Sequence, residues 1–235
     1  MSLSRIALSS IVFAGMASAA SAAYVNATFN GVGPAVNVTV TRDSGANWLG
    51  TQAGGFNFTR TGGTATDPYL TGNYVSFCID IFKTVGNGGN YGWNQAPLAN
   101  APTGPGGPNY PMGAIKADLL GRLWGAHRST LSNNEQYGAF QLAVWEIVFE
   151  NSNVLDVDIG NFYAINGGTE AANARALANT WLSTVASDPA YGGVYALTGN
   201  TGESGAGEPQ DQLVPAPGSL ALCGLGGLVL ARRRR

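Results

Sequence analysis

The sequence predicts an α+β fold: a β-sandwich or barrel-like antiparallel sheet joined to a packed helical subdomain of about three helices. Three observations carry this expectation. The first third alternates apolar and polar residues, as in Val36-Asn37-Val38-Thr39-Val40-Thr41, the period of a half-buried strand. Later segments space apolar residues three and four apart, the period of a helix. Glycine is abundant, 34 of 235 residues, which suits turns and surface loops better than a helical bundle.

Taken in order, Tyr24 to Phe29 reads as a short strand and Val36 to Thr41 as a second. Phe56 and Phe58 alternate in the same way, and Asp67-Pro68 and Thr71-Gly72-Asn73 mark turns. The strongest strand is Tyr74 to Phe82. Within it Phe77, Ile79 and Ile81 form an apolar face, and Ser76, Cys78 and Asp80 the opposite one. That places Cys78 at a seam rather than in the main core. Residues 86–111 read as a long irregular loop, with Tyr91 and Trp93 inside it. A helix is predicted from Ala114 to His127, with Ile115, Leu119, Leu120, Leu123 and Trp124 inward. Ser132 or Asn133 can cap the next helix, and Glu135 suits its first turn. In that helix Phe140, Ala143, Val144, Ile147 and Val148 share a stripe. A third helix spans roughly Glu170 to Val185, with Ala174, Leu177, Ala178, Trp181, Leu182 and Val185 facing inward. Residues 190–197 suggest a final strand.

The two ends read as addresses. Residues 1–22 hold Arg5, an apolar run from Ile6 to Met16, and Ala-x-Ala sites ending at Ala19 and Ala22. This is the layout of a signal peptide, a substrate of signal peptidase, with cleavage expected after Ala22. The domain then runs over 23–198: β-rich 23–85, loop 86–111, helical 112–187 and the final strand at 190–197. Residues 199–213 read as linker. From 214 to 235 come Val214-Pro215-Ala216-Pro217-Gly218, an apolar run from Ser219 to Ala231, and Arg232, Arg233, Arg234 and Arg235.

That tail resembles the bacterial PEP-CTERM sorting signal, with Pro215 and Pro217 as its proline pair and Ala216 in place of the usual glutamate. The resemblance implies processing by an exosortase-type membrane enzyme. It also implies a transmembrane helix giving transient inner-membrane anchoring, and delivery to a Gram-negative cell surface or biofilm matrix.

Setting aside Arg5 and the four terminal arginines leaves seven of the twelve basic side chains against fourteen acidic ones, a net charge of −7. There is no basic cluster in the body of the chain, which excludes nucleic acid as the expected partner. One histidine and two cysteines offer no recognised ligand spacing, so neither a metal nor another cofactor is expected. Asp156-Val157-Asp158 lacks the remaining ligands of a calcium loop and reads as a turn.

Of the two cysteines, Cys223 lies in the apolar tail. Cys78 is therefore left as a single thiol, to be buried and inert, paired between molecules, or chemically masked. A candidate for masking is Gln141, on an apolar helical segment one turn before Trp145. A buried primary amide costs free energy unless its donors and acceptor are paired, so a glutamine bonded to backbone at an interface is the structural alternative.

The segments around the pair, Phe77-Cys78 and Phe140-Gln141-Leu142-Ala143-Val144-Trp145, resemble the thioester domains of bacterial surface adhesins. The similarity covers about residues 70–185. It implies that Cys78 and Gln141 condense into an internal thioester, with Trp145 as the motif tryptophan. Trp145 is then placed to shield the bond, and Asp80, on the strand face of Cys78, and the Tyr137 hydroxyl are candidates to assist. A thioester is electrophilic where an amide is not. An amine on a surface ligand, above all a protein lysine, would attack Gln141, release the Cys78 thiol and leave an intermolecular amide. The bond is consumed once, so the protein is expected not to be an enzyme. Two alternatives stand beside this: a passive extracellular matrix protein in which the pair only packs, and a secreted cysteine hydrolase or acyltransferase using Cys78 and His127.

Overall fold

The structure, a computed structural model, describes residues 23–102, 111–165, 167–199 and 208–216. Residues 1–22 and 217–235, which carry the expected signal peptide, Pro217, Cys223 and Arg232 to Arg235, lie outside the described residues.

Among the described residues seven strands and three α-helices follow as β1 (Tyr24–Thr41), β2 (Leu49–Gly62), β3 (Asn73–Cys78), β4 (Asn90–Ala96), α1 (Gly113–His127), α2 (Asn134–Phe149), β5 (Tyr163–Ile165), α3 (Gly168–Leu182), β6 (Val194–Gly199) and β7 (Gln212–Pro215). The fold is α+β, as the patterning predicts. The sheet runs β2-β3-β7-β6-β4-β1-β5, and β1 also pairs with β2. That extra pairing closes six strands into an antiparallel barrel, with β5 added outside the closure. Closure removes the free edges that an open sheet would leave.

β1 makes the closure possible. Its first residues pair with β4, its last residues with β5, and nearly its whole length with β2. The β1–β2 register shifts at Asn26/Ala27, Phe29/Gly31 and Val32/Ala35. Such irregularities bend a strand and sharpen its twist, so one 18-residue strand spans what the sequence pattern presents as two. Val36, Val38 and Val40 are buried as expected.

Several boundaries differ from the expectation. The third strand stops at Cys78, because Asp80 turns the chain by accepting a hydrogen bond from the Phe82 N–H at 3.0 Å. The expected loop 86–111 contains β4. There Tyr91 and Trp93 are buried, and Trp93 Nε1 donates to the Gln210 carbonyl at 2.9 Å. Gln212–Pro215, expected as linker and tail, is β7, inserted between β3 and β6. Pro215 thus ends a barrel strand and pairs with Val194. Ile115, expected inward on α1, is 80% exposed.

The expectation of a transmembrane helix, and with it transient inner-membrane anchoring, is corrected. No helix among the described residues is long and apolar enough to cross a membrane, and the apolar run 219–231 lies outside them. A helix of such a run would reach only about 20 Å, against a hydrocarbon core of about 30 Å.

α2 is the central helix. Asn133 caps it, accepting the Gln136 N–H at 2.9 Å. Every residue from Gly138 to Phe149 is buried, so the helix is covered all round rather than along the one predicted stripe. The reason is its position: β1, β2 and β3 pack on one side, α1 and α3 on the other. Helices buried on all faces belong to interiors, and this placement fixes the candidate site.

Candidate functional site

β3 ends with one side of its backbone uncovered. Its pairing with β2 runs from Asn73 to Ser76 and stops there. On the other side β7 continues the ladder, with Cys78 opposite Gln212 and the Ile79 N–H donating to the Asp211 carbonyl at 3.0 Å. Backbone groups alternate sides along a strand, so the N–H and C=O of Cys78 face the side that β2 has left.

Gln141 fills that gap from α2. The Cys78 N–H donates to Gln141 Oε1 at 2.9 Å, and Gln141 Nε2 donates to the Cys78 carbonyl at 2.8 Å. The carboxamide thus continues the β ladder as a further backbone unit would. Cys78 and Gln141 are 0% exposed and Trp145 is 1% exposed. The sequence separation of 63 residues is closed by the packing of α2 on the barrel.

The electrostatics are those of a dry site. Burial pushes the Cys78 thiol well above its usual range, and the carboxylates of Asp80 and Asp211 push the same way. The N–H of Asp80 and the indole of Trp145 act against them. The Trp145 Nε1–H lies close to the thiol without an aligned hydrogen bond, and it is buried with no other partner. A buried orphan donor is uncommon in a packed interior.

Of the two expected assistants, Asp80 is the nearer. Its carboxylate binds Lys83 at 3.1 Å and the Phe82 N–H, and Lys83 in turn binds Glu208 at 3.1 Å. Tyr137 stacks on the Phe77 ring, with centroids 6.1 Å apart. His127 stacks on Trp181 at 4.4 Å and faces Asp188 at 3.8 Å. Its contacts are therefore with α3 and the chain beyond it, not with Cys78.

Asp211 and Gln212 are the residues that sequence reasoning missed. Gln212 Oε1 accepts from Ser76 Oγ at 2.8 Å inside the barrel. Asp211 is fully buried; its Oδ1 accepts the Gly199 N–H at 2.6 Å, and its Oδ2 has no partner among the described residues. Burial raises its pKa to about 7. The only sequence signal for them is the short apolar pair Leu213-Val214 beyond a Gly-rich stretch.

Asp156 and Asp158, read as a turn, both accept from Asn179 Nδ2, and Asp158 pairs with Arg175 at 2.9 Å. No group of three or more metal-ligating side chains occurs among the described residues.

Comparison of the chain with protein-family models, with curated proteins and with solved structures finds no match. The adhesin resemblance therefore rests on the motif residues, and the functional reading on the geometry around them.

Proposed function

We propose that Cys78 and Gln141 form an internal thioester, and that the protein uses it once to attach covalently to an amine-bearing partner. The observation that carries this is the paired hydrogen bonding of the Gln141 carboxamide to the Cys78 backbone in a fully buried seam. It supports the reading in three ways. The carbonyl to be attacked is already polarised by a backbone N–H, the arrangement that stabilises an oxyanion. The nitrogen to be expelled rests on a carbonyl acceptor. The reacting residues are held as neighbours, which removes most of the entropic barrier to their meeting.

The chemistry balances without a co-reactant. Cys78 Sγ attacks Gln141 Cδ, the C–N bond breaks, and the thiol proton leaves with the nitrogen as ammonia. In the second step a partner amine attacks the same carbon, the C–S bond breaks, and a proton returns to Cys78. Burial, with Trp145 packed one turn beyond Gln141, keeps water from the electrophile. The orphan indole N–H of Trp145 is a further donor for the developing oxyanion. The partner amine we favour is a protein lysine.

Intact mass spectrometry of gently purified protein tests this. The expected mass is one ammonia below the sequence mass of the processed chain. Methylamine should then add at Gln141, and Cys78→Ala should abolish both effects. Full mass with a titratable thiol would refute the thioester.

A second reading has one observation in its favour. The Gln141 amide satisfies both backbone groups of Cys78 that β2 leaves open, so the pair also makes sense as packing alone. It predicts full mass and an unreactive Cys78. The hydrolase alternative has less support, since the contacts of His127 are with Trp181 and Asp188.

A further inference from the structure

Basic side chains in this structure are generally matched. Lys83, Arg122 and Arg175 meet carboxylates. Lys116 donates to two backbone carbonyls and Arg60 to three. Arg128 differs. It opens the short 3-10 turn Arg128–Thr130 after α1. Among the described residues no carboxylate pairs with it, and its guanidinium makes one hydrogen bond, Nη2 to the Tyr69 hydroxyl at 3.3 Å. Its Nε–H is buried with no partner.

The guanidinium sits in an aromatic socket. Its carbon lies 5.6 Å from the ring centres of Phe77 and Trp124, and 5.7 Å from that of Tyr137. Cation–π contacts at such distances offset part of the desolvation of a charge, but they use none of its five N–H donors. Beside it opens a pocket of about 320 Å³, lined by Tyr69, Trp124, Ser129, Tyr191 and Pro215 together with Arg128. A planar cation with spare donors, oriented by rings at the mouth of a pocket, matches the geometry of a carboxylate.

The socket also adjoins the reactive pair. Phe77 precedes Cys78 in β3, and Tyr137 stands one turn before Gln141 on α2. Pro215 belongs to β7, the strand that covers Cys78 from the other side. An anion held at Arg128 would therefore be anchored next to the seam that an attacking amine must enter.

We propose that the Arg128 pocket binds a carboxylate of the attachment partner and so selects amines with an acidic group close by, such as a lysine beside an aspartate or glutamate. Binding of the carboxylate stands on the socket itself; its role in selection rests on the thioester reading. Arg128 is a specificity residue here, acting by placing the partner, with no bond-making role.

Two measurements on the full chain separate these parts. The first follows the Arg128 Nε–H resonance in ¹⁵N-labelled protein during titration with sodium acetate, against sodium chloride at matched ionic strength and against inorganic phosphate. A saturable shift with acetate alone is expected. No shift, or a stronger response to phosphate, would overturn the carboxylate assignment. The second measures adduct formation by mass with ω-amino acids from glycine to 6-aminohexanoate, each against the neutral alkylamine of the same length. At least one amino acid should react about tenfold faster than its neutral counterpart, the scale of a charge-assisted contact. Arg128→Gln should erase that preference and Arg128→Lys should restore part of it. Equal rates in the native protein would overturn selection. If no amine adds at all, the attachment reading fails, while the acetate titration still decides the pocket. That titration needs only the native protein, so a variant that does not fold leaves the answer intact.

Discussion

Gln141 and Glu146 stand on the same helix, five residues apart, and neither exposes any surface. Gln141 meets a backbone that lacks two partners and supplies both. Glu146 receives one hydrogen bond, from the Asp156 N–H to Oε1 at 2.8 Å, and its Oε2 is buried without a partner. Burial raises its pKa to about 8, with the nearby Glu150 and Asp156 carboxylates adding to the effect and Lys116 opposing it. A neutral amide can be matched completely inside a protein at little cost, whereas a carboxylate there responds by holding its proton. The middle of α2 is therefore set in geometry, and its last turns are set by pH.

The contrast can be broken most sharply at Cys78. Cys78→Ala should eliminate the ammonia deficit and all amine adducts while the barrel stays folded, read by intact mass and circular dichroism. A deficit that survives would place it elsewhere in the chain.

Trp145→Ala should cost about 3–5 kcal/mol in chemical denaturation, the range for deleting a large buried ring. Any thioester that forms in that variant should hydrolyse faster, visible as a shrinking deficit over time.

Gln141→Ala should cost roughly 2–4 kcal/mol, because it strands the N–H and C=O of Cys78 as well as leaving a cavity. A cost near zero would mean that water or a backbone shift replaces the amide, and the pair would lose its claim to be preorganised.

At the other end, Lys116 Nζ donates to the Val148 and Glu150 carbonyls at 2.6 and 2.9 Å, closing the last turn of α2. Lys116→Met should cost about 1–2 kcal/mol by leaving those acceptors unmatched.

The pH profile tests the carboxylates directly. The folded state holds the Glu146 proton up to about pH 8, whereas the unfolded chain releases it near the ordinary carboxylate value of 4.5. Between those values the folded state binds the extra proton, so stability falls as pH rises. Asp211, with a pKa raised to about 7 from 3.8, slopes the same way over its own window. The melting temperature should therefore drop between pH 5 and pH 8. Glu146→Gln should flatten the upper part of that slope and Asp211→Asn the lower part. A profile that rises with pH would reverse the assignment of both groups.

How much of this was legible beforehand follows from how local each signal is. The alternation in Val36 to Thr41 is a property of neighbouring residues and leads directly to the buried face of β1. The Asn133 cap and the spacing within α1, α2 and α3 are equally local. β4 was harder, because Gly-Asn-rich flanks hide two alternating aromatics, Tyr91 and Trp93. β7 was harder still, since four residues after a Gly-rich stretch have almost no pattern of their own. Its strand conformation comes from β3 and β6, each presenting an unpaired edge.

The same division holds at the candidate site. Cys78, Gln141 and Trp145 could be singled out from their segments, and the i, i+4 relation of Gln141 and Trp145 is a property of any helix. Asp211, the unmatched Arg128 and the pocket beside it could not, because charge matching depends on which groups the fold brings together.

By itself, then, the sequence determined the class of fold, the helices and the identity of the candidate pair, all of which rest on periodicity and residue chemistry over a few turns. Only the tertiary structure decided that β2 leaves β3 before Cys78 and that α2 enters the gap. The ladder between β2 and β3 ends at Ser76 while β2 runs on along β1 from Gly54 to Leu49, so the Cys78 backbone is left for Gln141 to complete.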